Sequence, residues 1–186
     1  IFKQLKAKNI KNLILDLRKN GGGSSEPVVS LFSYLISEAD SISRETRVKT
    51  FQFESFKQYI NTWDQNALNP DPAWFELTED GDFRLDAKLS VLAQTVQPSA
   101  YAFKDKLVVL TSKTNSSGSA NLLAKLSDLN RATFIGEATG GSVEGPTAGV
   151  IFFVTLPHSG IIARLPVQRG YNNVNLPING KGILPD

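Results

Sequence analysis

The 186-residue chain has no cysteine and no methionine, a single histidine and only two tryptophans. Without cysteine there are no disulfides and no thiolate metal sites, and the redox compartment stays open. No apolar run approaches the ~20 residues of a membrane-spanning helix, and no signal-peptide pattern is present. A surplus of one charge is also missing. Twenty basic residues against eighteen acidic ones leave a net charge of +2, with Lys and Arg scattered along the chain, which gives no electrostatic footprint for nucleic acid or anionic lipid. The chain opens at Ile1 in what reads as mid-structure. The expectation is therefore an interior piece of a longer protein, with any targeting segment elsewhere.

What is present is ordinary for a globular protein: 41% apolar and 20% charged residues, with 14 glycines and 9 prolines. The length suits one domain with a real core. Asn12 to Arg18, reading NLILDLR, is a short apolar run that predicts a strand buried on both faces. Asn20-Gly21-Gly22-Gly23-Ser24-Ser25 breaks it, and Val28, Val29, Leu31, Phe32, Leu35 and Ile36 then recur at helical spacing, with Pro27 tolerated in the first turn. Lys106 to Thr111 predicts a second buried strand. A serine cluster follows, and then Ala120, Leu122, Leu123, Leu126 and Leu129 on one helical face. Arg131 to Glu137 reads as a third strand, and Val150 to Leu156 with Gly160 to Val167 as a hairpin around Pro157-His158-Ser159-Gly160.

Between these ordered parts, residues 44–56 alternate as a half-exposed strand. Leu85 to Val96 reads as a short helix, and residues 40–100 as a whole as a partly irregular insertion. Its aromatics, Trp63, Trp74 and Phe75, fit a small core of the insertion itself better than a substrate groove. The acidic run Glu79 to Asp82 lacks the ligand spacing of a calcium loop, so no metal is assigned. Strands alternating with helices predict an α/β fold with helices packed on the sheet.

Two loops share a layout suited to acyl transfer, which needs a nucleophile and backbone N–H donors aimed at a developing oxyanion. In TNSSGSANLL, residues 114–123, a strand ends in a turn that feeds a helix, so a serine is held beside the free N–H groups and positive end of the helix. In NGGGSS, residues 20–25, glycine lets the main chain approach a substrate closely. Either loop alone has a plainer reading, since serines commonly cap helices and glycines turn corners.

Together with their neighbours they are more specific. LILDLRKNGGG, TSKTNSSGSANLLAKL, NRATFIGEATGGS and NGKGILPD occur in this order. They resemble the core motifs of the C-terminal processing (tail-specific) serine peptidases, the family that includes the tricorn core protease and the interphotoreceptor retinoid-binding protein repeats. The resemblance covers about residues 5–36 and 104–186. It implies a ClpP/crotonase-like ββα spiral, a polypeptide substrate, no cofactor, and an extracytoplasmic home such as a bacterial periplasm or cell envelope. It also places the nucleophile at Ser116, with the backbone N–H groups of Ser117 and of Gly23, then Gly22, as oxyanion donors.

The departures from the family pattern bear on the general base. Gly141 stands where the lysine-dependent branch has its base, and Ser119 where the family carries Glu. The tricorn-type Glu aligns near Asn179, which can orient a partner but carries no charge. His158 is expected to be an exposed turn residue. Asp16 and Arg18 are expected to brace the first loop, and Glu137 to bond backbone near the active loops. Two readings stay open: a peptidase core whose base comes from a segment outside this sequence, or an inactive relative that binds peptides or apolar ligands.

Overall fold

A computed structural model describes residues 1–186. The chain opens with helix α1 (Phe2–Ala7) and strand β1 (Asn12–Asp16), followed by α2 (Ser25–Ser33) and β2 (Ser43–Val48). Short strands β3 (Ile60–Asn61), β4 (Phe75–Leu77) and β5 (Phe83–Leu85) come next, interspersed with single 3₁₀ turns. The second half holds β6 (Lys106–Thr111), α3 (Ser117–Asp128), β7 (Thr133–Gly136), β8 (Ile151–Thr155), β9 (Ile162–Pro166) and β10 (Gln168–Asn172).

The strands form three sheets. A parallel sheet runs β1-β6-β7, with Ile14 opposite Val108 and Leu110 opposite Ile135. A second sheet, β10-β2-β5-β4, is antiparallel, and a third joins β3, β8 and β9. The predicted alternation of strand and helix is thus realised in the parallel sheet, where β1 leads into α2 and β6 into α3. The main core fills one side of that sheet: Phe32, Leu35 and Ile36 meet Leu122, Leu123 and Leu126 over Leu107, Val109 and Phe134.

The expectation that β1 is buried on both faces does not hold. Leu13 and Leu15 turn to the core, but Ile14 is 66% exposed and Ile135, on β7, is 51% exposed. The apolar run was read by the rule that parallel sheets carry helices on both faces. Here α2 and α3 cover the same face, and the other stays open.

Residues 85–96 also differ from expectation. Two 3₁₀ turns, Ala87–Leu89 and Val91–Ala93, replace the predicted helix. Asp86 caps the first by accepting the Lys88 N–H, and Ser90 turns extended between them. A capped turn satisfies local donors after three residues and offers no continuing ladder.

A buried cation ties α3 to the chain tail. Lys125 lies 2.8 Å from Asp40 and 3.6 Å from Asp128, and its ammonium also donates to the Asn173 carbonyl at 2.7 Å. Its side chain is 4% exposed and that of Asp128 7%. Removing one partner of a buried pair leaves the other charge uncompensated. Lys125→Met is therefore expected to lower stability by about 3 kcal/mol, read as a fall in the urea midpoint at constant slope, and adding Asp128→Asn should restore part of the loss.

Candidate active site

Because β1, β6 and β7 run parallel and adjacent, the loops at their carboxyl ends emerge side by side, the place where ligands bind in open α/β sheets. The loop after β6 is fastened to the loop after β1 by three side chains in succession. Ser112 Oγ donates to the Arg18 carbonyl at 2.6 Å. Asn115 Nδ2 donates to the carbonyls of Leu17 and Asn20 at 2.6 and 3.0 Å. Ser116 Oγ donates to the Gly21 carbonyl at 2.8 Å.

Asn115 is fully buried, and its Oδ1 accepts the Ser112 N–H while its Nδ2 also reaches Ser119 Oγ. It is the functional residue that sequence reasoning passed over. The available signal was an Asn immediately before the candidate serine, in a turn flanked by two buried strands. Asp16 and Arg18 brace the same region. The Arg18 guanidinium and backbone N–H both donate to the Asp16 carboxylate, whose pKa is pulled down to about 2. A lowered folded value means that the contribution of this exposed pair is present above the ordinary carboxylate range and lost as pH falls through about 2.

Ser116 occupies the N-cap position of α3, yet its side chain makes no cap bond to the helix. An N-cap serine ordinarily accepts an N–H from the first turn. Here the hydroxyl is turned to Gly21, and the N–H groups of Ser117 and Gly118 find no intramolecular acceptor. Ser117 stands at φ +50°, left-handed for a non-glycine residue, which marks a sharp strand-to-helix turn. The Gly23 N–H is likewise unbonded, whereas the Gly22 N–H is taken by Asn20 Oδ1 at 2.9 Å. Of the two candidate glycine donors, then, only Gly23 is free.

Gly22 serves the close approach instead. Its φ is +103°, and a Cβ there would sit 2.7 Å from the Ser116 carbonyl and 2.8 Å from Ser117 Cβ. Gly23, Ser117, Gly118 and Asn121 line one open groove of about 270 Å³, together with Gly149 and Gln168 from the far wall.

The third loop closes in from β7. The Glu137 carbonyl accepts Thr111 Oγ1, and its carboxylate lies 3.4 Å from the Lys113 N–H. The Gly141 N–H donates to the Asn115 carbonyl at 2.8 Å. A Cβ at Gly141 would lie 2.5 Å from that of Ala120 and 3.2 Å from Ser116 Cα, so this backbone leaves no room for a side chain. Asn179 is exposed and caps its own turn by accepting the Lys181 N–H, and His158 is exposed at the β8–β9 turn. Neither is among the residues lining the groove. Phe75 stacks on Phe51 within the insertion, as a small core of its own requires, whereas Trp63 packs on Phe153 outside it and is 62% exposed, and Trp74 borders a cavity.

Asn115→Ala leaves the Asn20 carbonyl and the Ser112 N–H without partners, at roughly 1–3 kcal/mol for each buried group left unpaired, while the Leu17 carbonyl keeps only the Asn20 N–H. The expected outcome is a destabilised protein in which amides 17–23 and Ser112 exchange hydrogen faster than the α3 core. Asn115→Asp, of equal size but facing two carbonyls as an acceptor, should fare no better.

No curated protein matches the chain in sequence. Among solved structures, the photosystem II D1 C-terminal processing protease superposes with a TM-score of 0.54 at 20% identity, over 100% of this chain and 36% of that one. Mature CPAF complexed with lactacystin gives 0.63 at 17% identity, over 100% and 40%. A protein of Parabacteroides merdae ATCC 43184 gives 0.59 at 23% identity, over 96% and 45%. The chain thus spans less than half the length of each. At these identities the likeness speaks for the fold alone, an α/β architecture consistent with the expected ClpP/crotonase-like ββα spiral. The model of peptidase family S41 matches residues 1–186, and the chain belongs to that family.

Proposed function

We propose that the chain is the core of a serine-type endopeptidase in which Ser116 is the nucleophile and the N–H groups of Gly23 and Ser117 hold the oxyanion. One observation carries this reading. The helix-start serine forgoes capping, and unpaired N–H groups from both loops stand around a shared groove. Ser116 Oγ attacks the carbonyl carbon of a peptide bond while its proton passes to a general base. The carbonyl oxygen, now negative, accepts from the two N–H groups. Collapse, with the base returning its proton to the nitrogen, expels the amine and leaves an acyl-serine that water hydrolyses.

In the free state the hydroxyl proton is held by the Gly21 carbonyl, which is too weak a base to remove it. The base is placed outside these 186 residues, and the bond to Gly21 breaks as the base engages. The polypeptide substrate binds in extended form along the groove.

A second reading, a non-catalytic module that grips peptides or apolar ligands, is favoured by a specific feature. The position of the family lysine is occupied by Gly141, where no side chain fits, and the Ser116 hydroxyl bonds to a backbone carbonyl and to no basic side chain.

A fluorophosphonate probe on the full-length protein separates the two. The peptidase reading expects labelling that Ser116→Ala abolishes. Gly22→Ala, which would force the loops apart, should slow labelling by about 10²–10³-fold, the usual loss for a misplaced oxyanion donor. Correctly folded wild type that never labels would leave only the binding module.

A further inference from the structure

Beyond the groove lined by Gly23 and Ser117 lies a second cavity of about 350 Å³, within the range of ligand pockets though at its small end. Its walls are mostly apolar: Phe51, Trp74 and Phe75 from the insertion, Val48 from β2, and Val150 and Val167 from the β8–β9 arm. The Phe51 and Phe75 rings stack at 4.8 Å, and Phe83 meets Phe51 edge-on at the same distance. The small core of Phe53, Leu68 and Phe152 forms the chamber's floor, since Phe53 lines the chamber and Ala67, Val150 and Val167 belong to both. Trp74 and Leu89 remain 40% and 50% exposed, so they do not close over a filled interior.

The two cavities adjoin. Leu85, Leu89 and Gln168 line both, and the neighbours Gly149 and Val150 line the groove and the chamber respectively. At this neck Gly149 adopts φ +110°, and a Cβ on it would lie 2.7 Å from Gln168 Oε1. Glycine therefore leaves the space in which the Gln168 carboxamide rests. That carboxamide makes no intramolecular hydrogen bond although it is half-buried, so both its donor and its acceptor are free for a peptide backbone crossing the neck. The one carboxylate on the chamber wall, Asp64, is engaged as a turn cap by the Asn66 N–H.

We propose that this chamber receives one large apolar side chain, aromatic or branched aliphatic, of the polypeptide lying across Ser116, and so sets which sequences the site accepts. The proposal rests on the peptidase reading for the word cleavage, but not for binding. Apolar walls reward a buried hydrocarbon side chain by area removed from water. The free carboxamide at the neck holds the main chain, and the Asp64 carboxylate disfavours an acidic residue at that position.

The test uses full-length protein and a randomised peptide mixture, with cleavage sites read by mass spectrometry. Phe, Trp, Leu or Ile should be enriched at least tenfold at one fixed position relative to the cut. Leu89→Arg, which places a charge at the neck, and Trp74→Ala, which removes a wall, should each flatten that enrichment. Both positions are substantially exposed, and the melting temperature of each variant checks its folding. Cleavage without apolar enrichment, enrichment of Lys in its place, or enrichment unchanged in both folded variants overturns the proposal while leaving the peptidase standing.

If wild type cleaves nothing, the peptidase reading fails by itself. Fluorescence anisotropy with labelled peptides differing only in Phe or Asp at each position then decides. At least tenfold tighter binding of one Phe peptide, lost in Leu89→Arg, supports the chamber, and equal binding overturns it.

Discussion

The bonding of one loop to another organises this molecule. Ser112, Asn115 and Ser116 donate in turn to the carbonyls of Arg18, Leu17, Asn20 and Gly21, so the chain after β6 is laid along the chain after β1. Those carbonyls lie in a glycine-rich turn outside the helices and strands, where only that of Leu17 has a main-chain partner, the Asn20 N–H, and a polar group held at a loop contact without a partner is costly. The side chains resolve that cost and fix the spacing of the two loops. Parallel pairing of β1 with β6 makes the arrangement possible, because it brings both loop starts to the same edge.

The chemistry proposed for Ser116 follows from what this bonding leaves over. Turning the hydroxyl to Gly21 removes the usual cap from α3 and leaves the first N–H groups of the helix open to the groove. A helix start with unpaired donors favours negative charge, which is the property an oxyanion site requires. The same bonding sets a constraint. The backbone at Gly141 lies so close to Ser116 and Ala120 that the third loop can contribute hydrogen bonds but no side chain. The chain belongs to peptidase family S41 over its whole length, and the proposed mechanism draws its general base from outside it.

The insertion gains a part in this picture. The sequence showed aromatics in an irregular segment, and the plainest reading was a small private core. Phe53 and Leu68, with Phe56, Ile60 and Ala67 around them, do that work against Phe152. Phe51, Trp74 and Phe75 line, with Phe53, the chamber proposed to take a substrate side chain, which shares Leu85, Leu89 and Gln168 with the groove. Composition could not separate the two, because an aromatic facing an open cavity and one facing a filled core have the same local sequence.

The order of the four motifs was enough to establish the family resemblance, the strand-to-helix turns and the two loops, because these depend on local periodicity and on glycine at positions that no other residue fits. Helix and strand positions in the parallel sheet were legible for the same reason. Three features were decided only by the fold. Ile14 and Ile135 are exposed because α2 and α3 settled on one face. Residues 87–93 became two capped turns. Asn115, one polar residue in a polar stretch, became the buried joint between loops nearly a hundred positions apart. Each depends on which surfaces meet in space, and that is settled by packing between distant segments and not by the pattern of any one of them.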